Sequence, residues 1–297
     1  MKKTNILITG ANGFVGSKII EALMKNKRYR IAGLVRKTSN LDFLKGSRKR
    51  IKLYFGDIRS KETLLEAFKG KDIVIHAAAF PSDWGSFDYF YETNVKGTRN
   101  VCELCLQNSV KHLVYISSVS IYGFGKRINA CESSEVRKNK FPYCVTKLEG
   151  EETVRHFIDV FRLPATIVQP GQIYGPHDRT TSYKVIEALN QGLFGLCDSG
   201  RHLLSPVYID NLVQAIVRIL NKPAVSLKKT YVVTDNIRIT WKEFTGHFCR
   251  ILNKPMPWLN LPRQLAFLAA SVSEAVYRLL MIRTPPSCYL IQGLPDR

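Results

Sequence analysis

The chain has 297 residues, long enough to bury a large core, and its 45% apolar and 23% charged content is that of a folded globular protein rather than a disordered one. Lys and Arg number 44 against 24 Asp and Glu, a net charge of +20, dispersed in short clusters at residues 25–30, 48–52, 137–140 and 228–229. Such dispersion reads first as solvated faces, with attraction to anionic lipid as a second reading; with no aromatic-interleaved basic strand and no zinc-finger spacing, nucleic acid is not an expected partner.

Seven scattered cysteines, an odd number, suit a reducing, cytoplasmic setting better than a disulfide framework. No His/Cys grouping has metal-ligand spacing, so no metal is expected. The N-terminus, Met-Lys-Lys-Thr-Asn-Ile-Leu-Ile-Thr-Gly, starts like an export signal, but its apolar stretch ends after three residues. It reads instead as a first strand over residues 5–9.

Gly10, Gly13 and Gly16 follow that strand and open a predicted helix over 13–27. Glycine there permits a tight turn, close approach of backbone N–H groups to a pyrophosphate, and close helix–strand packing. The spacing is Gly-x-x-Gly-x-x-Gly rather than Gly-x-Gly-x-x-Gly. A second strand over 30–35 ends in Val35-Arg36-Lys37. A dinucleotide fold reading NAD carries a carboxylate at that edge for the ribose hydroxyls. Two cations stand there instead, which favours the 2′-phosphate of NADP(H) over NAD(H).

Further strands are predicted over 51–55, 72–76, 112–116 and 165–169, with helices over 61–68, 93–108 and 143–161. Short apolar runs alternating with helical patterns indicate an α/β fold with a doubly wound parallel sheet, its ligands at the carboxyl edge. Cys102 and Cys105 fall inside the 93–108 helix, where two small buried residues are expected rather than a redox pair. Tyr143 and Lys147 sit four apart on the next helix and share a face. Such an ammonium can lie below the phenol, lower its pKa and equip it to exchange a proton with a carbonyl. Tyr122 and Lys126 repeat the spacing, but Gly123 and Gly125 argue against a helix there.

After Gly175-Pro176 the alternation is lost. A helix over 208–220 and a strand over 230–234 return to the sheet. Residues 1–175 with 207–235 thus form the nucleotide-binding (Rossmann) domain, and 176–206 with 236–297 a small, mostly helical substrate cap. In the last predicted helix, 262–283, Gln264, Ser271, Glu274 and Arg278 make a narrow polar stripe. Glu274 and Arg278 argue against a transmembrane span. The helix is expected to form an apolar wall of the substrate pocket, with peripheral contact to a membrane surface as the alternative.

Seven motifs stand in one order: Thr9-Gly10-Ala11-Asn12-Gly13-Phe14-Val15-Gly16, Gly56-Asp57-Ile58, His76-Ala77-Ala78-Ala79, Thr93-Asn94-Val95-Lys96-Gly97-Thr98, Val114-Tyr115-Ile116-Ser117-Ser118, Tyr143-x-x-x-Lys147 and Gln169-Pro170. From residue 4 to about 235 the chain resembles an extended short-chain dehydrogenase/reductase of the epimerase/dehydratase superfamily. It is most similar to the 3β-hydroxysteroid dehydrogenase and dihydroflavonol reductase branch. The resemblance implies that Phe14 and Val15 line the pyrophosphate turn, and that Asp57 and Ile58 hold the adenine. Ala77 and Ala78 would pack beside the cofactor, Asn94 near its ribose end and Pro170 against the nicotinamide. His76 reads as a packing residue.

Strand alternation puts Ser117 and Ser118 on opposite faces, and counting back five from Gly123, as the family pattern does, selects Ser118. Ser118 would bind the substrate oxygen, Tyr143 act as proton donor or acceptor, and Lys147 hold the nicotinamide ribose. Two departures narrow the chemistry. Val119 and Ser120 stand where dehydratases of this superfamily carry an Asp-Glu pair, and Gln169 replaces an Arg common before Pro170. The end at Arg297, earlier than in many such proteins, implies a shortened cap.

The expectation is an NADP(H)-dependent oxidoreductase interconverting a secondary alcohol and a ketone on an apolar small molecule, sterol-like or 3-oxoacyl-derived. The alternatives are a sugar-nucleotide epimerase with tightly bound NAD and a non-catalytic NADP-binding scaffold. A homodimer through the helices near 93–108 and 143–161 is implied by the resemblance.

Overall fold

A computed structural model describes residues 3–123, 130–137 and 139–279. Seven strands form one sheet: β1 (Thr4–Thr9), β2 (Tyr29–Val35), β3 (Lys52–Phe55), β4 (Ile73–His76), β5 (His112–Ile116), β6 (Ala165–Pro170) and, late in the chain, β11 (Thr230–Val233). Their order is β11-β6-β5-β4-β1-β2-β3, and every pairing is parallel. The chain winds outward from β1 to β3, then returns to β4 on the other side of β1. A crevice therefore opens at the carboxyl ends of β1 and β4, where Thr9 pairs with His76.

Helices cover both faces: α1 (Phe14–Leu23) and α7 (Ile209–Asn221) on one, α2 (Leu65–Phe68), α4 (Gly97–Gln107) and α5 (Pro142–Asp159) on the other. Strand alternation feeds both layers. Leu7 packs with Val101, Leu104 and Phe157, whereas its neighbours Ile6 and Ile8 pack with Ile19, Ile216 and Ile219. Each fully buried Leu, Ile or Phe contributes about 1.5–3 kcal/mol, so the sheet sandwich holds the fold together. Cys102 and Cys105 are buried on α4, and burial pushes both thiols up.

The helix expected from residue 93 begins earlier. It starts as α3 (Phe87–Tyr91), capped by the Ser86 hydroxyl, passes through a π turn at Glu92–Lys96 and continues as α4. The helix expected over 61–68 opens as a 3₁₀ turn before α2. α1 stops at Leu23 rather than 27.

After β6 the chain adds short two-stranded pairs: β7 (Gln172–Tyr174) with β10 (Pro206–Tyr208), β8 (Leu196–Cys197) with β13 (Asn260–Leu261), and β9 (Leu203–Leu204) with β12 (Ile239–Thr240). Strands of two or three residues carry no readable period, which is why the sequence reading found none of them. Among them lie α6 (Ser182–Gln191), α8 (Pro223–Ser226), α9 (Trp241–Ile251) and α10 (Arg263–Leu279). The Asp178 carboxylate accepts the Ser182 N–H at 2.6 Å and starts α6, while Thr240 and Glu243 form a capping box for α9.

α10 is not a wall turned wholly inward: Ala266 and Ala270 are buried, while Leu265, Leu268 and Val272 face outward. Residues 280–283 of the expected helix, like Lys126, lie outside the described residues. Among the described residues no helix is long and apolar enough to cross a membrane, and no His, Cys, Asp and Glu group could hold a metal ion.

Candidate active site

The turn after β1 is built for close approach. Gly10 has φ +66°, and a Cβ on it would lie 2.8 Å from the Ala78 backbone. A Cβ on Gly16 would fall 2.2 Å from the Gly10 carbonyl, so glycine is needed to seat α1 on the strand. Gly13 is the N-cap residue and no side chain caps the helix. The first amides of α1, at Phe14, Val15 and Gly16, are therefore free of side-chain caps and suited to a pyrophosphate. Phe14 and Val15 are half-buried there, and Ala77 and Ala78 continue β4 beside the turn.

Below the turn runs a buried relay. The Ala78 N–H donates to Thr9 Oγ1, which contacts His76 Nδ1 at 2.7 Å; His76 Nε2 lies 3.2 Å from Thr98 Oγ1, and Thr98 donates to the Asn94 carbonyl. Because Thr98 spends its proton on Asn94, His76 must donate from Nε2 and accept at Nδ1. Burial, aided by Lys147, lowers the His76 pKa to about 3, so the ring is neutral. Asn94 is buried, its side chain accepting the Phe80 N–H at 2.8 Å and donating to Thr146 at 3.1 Å. It shapes the loop after β4 through the protein itself.

At the β2 end, Arg36 donates to the Tyr89 hydroxyl at 3.0 Å, and Lys37 is exposed beside it. Arg59, a cation the sequence reading did not single out, stacks over the Tyr89 ring at 4.9 Å and pairs with Asp57 at 2.7 Å. Arg59, assisted by Arg36, holds the Asp57 carboxyl below its usual range. The Ile58 side chain is in the core, where it packs at Gly97, and its carbonyl accepts the Asn100 amide at 2.8 Å. Across the mouth of the turn, Phe43 stacks on His177 at 4.2 Å and Arg179 lies over Phe43 at 4.5 Å.

The two serines after β5 part company. Ser117 is buried and its hydroxyl donates to Glu151 at 2.5 Å. Ser118 is half-buried, accepts the Ser120 N–H at 3.1 Å and hydrogen-bonds the Tyr143 phenol. Tyr143 opens α5, which Pro142 starts. Burial pushes the Tyr143 phenol up to about 12, with the Ser118 hydroxyl pulling the other way. The expected depression by Lys147 is not what the structure shows. The Lys147 ammonium turns to the Ile116 carbonyl at 2.8 Å and the Tyr115 hydroxyl at 3.1 Å, over the Tyr115 ring. Burial brings Lys147 down to about 8, opposed by Glu151 one turn further along α5. Pro170 is buried at the end of β6, in register with Val233 of β11.

Glu151 was not anticipated. Its carboxylate gathers Ser117, the Gln169 amide at 2.8 Å and the Arg155 guanidinium at 2.7 Å, and Gln169 in turn receives the Tyr122 hydroxyl. The sequence did hold a signal: Tyr143, Lys147 and Glu151 recur every four residues, on one face of one helix. Together the arrangement offers a protonated phenol, a second hydroxyl and a buried cation beside a turn shaped for a dinucleotide.

Residues 6–234 match the family described as "NAD dependent epimerase/dehydratase family". The chain is 27% identical over 269 residues to the Escherichia coli O157:H7 N-acetyl-alpha-D-glucosaminyl-diphospho-ditrans,octacis-undecaprenol 4-epimerase, covering 89% of this chain and 77% of that enzyme. It is 28% identical over 294 residues to 3beta-hydroxysteroid-dehydrogenase/decarboxylase isoform 2 of Arabidopsis thaliana, covering 92% of this chain and 52%, about half, of that protein. Among solved structures, that of gox2253 superimposes with a TM-score of 0.81 at 25% identity, over 99% of this chain and 90% of the other.

Proposed function

Because the chain belongs to the NAD dependent epimerase/dehydratase family, we propose that it is an NADP(H)-dependent oxidoreductase interconverting a secondary alcohol and a ketone. Its substrate is largely apolar, sterol-like or 3-oxoacyl-derived. The observation that carries the reading is the pairing of Ser118, just past the carboxyl end of β5, with the Tyr143 phenol, in the same sheet whose β1 leads into the glycine turn, with burial raising the phenol's pKa.

The cradle at Gly10, Gly13 and Gly16, with the first amides of α1 at Phe14 and Val15, suits the pyrophosphate. Arg36 and Lys37 suit a 2′-phosphate, and Asp57 with the Ile58 backbone suits the adenine. Ala77 and Ala78 suit packing beside the cofactor and Pro170 contact with the nicotinamide, while Asn94, its side chain committed to Phe80 and Thr146, supports the loop near the ribose end. The nicotinamide supplies or accepts hydride. In reduction, Ser118 donates a hydrogen bond to the carbonyl oxygen and Tyr143 passes its proton to that oxygen as negative charge develops. Lys147 holds positive charge beside the reacting group. In oxidation the proton runs back to Tyr143.

The apolar-ketone reading draws on the sterol dehydrogenase relative. An epimerase that keeps its NAD is the second reading, favoured by the Escherichia coli relative. A dehydratase is disfavoured because Val119 and Ser120 supply no acid–base pair. Mass spectrometry of nucleotide released from denatured protein, with NADPH and NADH titrations of the native protein, separates the first two. Empty protein binding NADPH more tightly supports the exchanging reductase. Retained NAD overturns it in favour of the epimerase.

A further inference from the structure

One apolar face is used by neither the sheet nor the crevice. On α10, Leu265, Leu268 and Val272 are 54%, 60% and 56% exposed, while Ala266 and Ala270 pack inward. Spacings of three and four residues put the three on one stripe of the helix. Just ahead in the chain, Trp258 is 88% and Ile251 80% exposed. The pairing of β8 with β13, with the Leu196 N–H bonded to the Leu259 carbonyl at 2.8 Å, draws the segment holding Leu193, 76% exposed, towards that holding Trp258. A large apolar side chain left in water forgoes about 1.5–3 kcal/mol of burial, so a face of this kind is built for a partner.

Charge selects the partner. Between Glu243 and Glu274 the sequence contains no Asp or Glu, but it contains Arg250, Lys254 and Arg263, on a chain of net charge +20. A second copy would set cations against cations. An anionic bilayer offers acyl chains to the leucines, a headgroup layer to an exposed indole, and negative charge to the flanking cations. No described helix is long and apolar enough to cross the bilayer, so the geometry is that of a helix lying along the surface. We propose that the Trp258 loop and the outer face of α10 dock this protein peripherally on an anionic phospholipid surface.

The test is co-sedimentation of the full chain with vesicles of phosphatidylglycerol mixed into phosphatidylcholine, and with phosphatidylcholine alone. The expected result is retention on the anionic vesicles, weakened by salt. The double variant L265E/L268E should lower the partition coefficient about tenfold or more. Trp258→Ser, on a loop and without consequence for the core, should lower it several-fold. Both variants should keep nucleotide affinity, which separates loss of docking from loss of fold and does not depend on the proposed reaction. Absence of binding to anionic vesicles, or equal binding by L265E/L268E, overturns the proposal. A dimer that ignores vesicles and dissociates in L265E/L268E overturns it too, and assigns the face to a second copy.

Discussion

Ser117 and Glu151, 34 residues apart in sequence, meet hydroxyl to carboxylate at 2.5 Å, whereas the adjacent Ser118 bonds the Tyr143 phenol. Adjacent hydroxyls thus hold different partners, one anchoring a buried carboxylate and one, half-buried, joined to the phenol that opens α5. Ser118→Ala should lower turnover about 10²–10³-fold, with only the roughly 1 kcal/mol that loss of its cap to the Ser120 N–H would take from stability. Ser117→Ala removes a donor from a buried carboxylate and should cost about 1–3 kcal/mol of stability, read from urea unfolding, with the smaller effect on rate. The reverse ranking would show that the wrong serine has been assigned to the chemistry.

Tyr143→Phe tests the proton transfer itself. The phenol, raised to about 12 by burial, carries its proton throughout the neutral range and is a donor suited to ketone reduction. Removing the hydroxyl should reduce turnover about 10²–10⁴-fold while NADPH affinity, measured by fluorescence titration, stays the same. Retained turnover would sink the assignment.

What could be read in advance divides along a physical line. Period-two and period-3.6 patterns are properties of neighbouring residues, so the sheet strands and the flanking helices were legible. So were the glycine turn and the spacing of Tyr143 and Lys147. Where a side chain finds its partner is a property of the folded chain. No local pattern encodes that Lys147 turns to Ile116 and Tyr115, that Asn94 is spent on Phe80 and Thr146, or that Arg59 clamps Asp57. The π turn at Glu92–Lys96 was equally hidden, because a single five-residue turn is too short to impose a period of its own on the apolar pattern.

Lys147 makes rate and stability move in opposite directions with pH. Its native pKa, lowered to about 8 by burial, lies below the 10.5 of the free side chain. Between those values the unfolded chain binds more protons than the native one, so this residue adds stability as pH rises through that window, roughly 3 kcal/mol in all. Its positive charge is meanwhile lost, and the reduction rate should decline as pH passes about 8. In Lys147→Met the difference in unfolding free energy from the parent should track that window. A difference flat with pH would remove the basis for the shift.

Arg36 reports on cofactor choice. With Arg36 exposed at the end of β2 and Arg59 committed to Asp57, the proposed recognition of a 2′-phosphate would depend chiefly on Arg36 and Lys37. Arg36→Ala should weaken NADPH binding about 10–100-fold, the value of one or two charge-assisted hydrogen bonds, and leave NADH affinity nearly unchanged. Equal loss for both nucleotides would place the guanidinium elsewhere on the cofactor.

His76 ties acid stability to the floor of the crevice. Its imidazole is buried and accepts from Thr9 while donating to Thr98, so only the neutral ring satisfies both contacts. Protonation would set a second N–H against the Thr9 hydroxyl and bury a charge near the Lys147 ammonium; the native pKa accordingly falls to about 3 from 6.5. Between those values the unfolded chain binds the extra proton, so stability falls as pH drops from 6.5 towards 3, by roughly 4–5 kcal/mol for this group alone. His112, bonded to Thr166 and lowered to about 4 by burial, adds to the same trend. Urea midpoints measured across that range should therefore decline steeply. His76→Asn should flatten the decline even though it lowers stability at neutral pH, because slope reports the proton and absolute stability reports the lost packing. A slope identical to the parent's would mean that His76 is not the group that titrates.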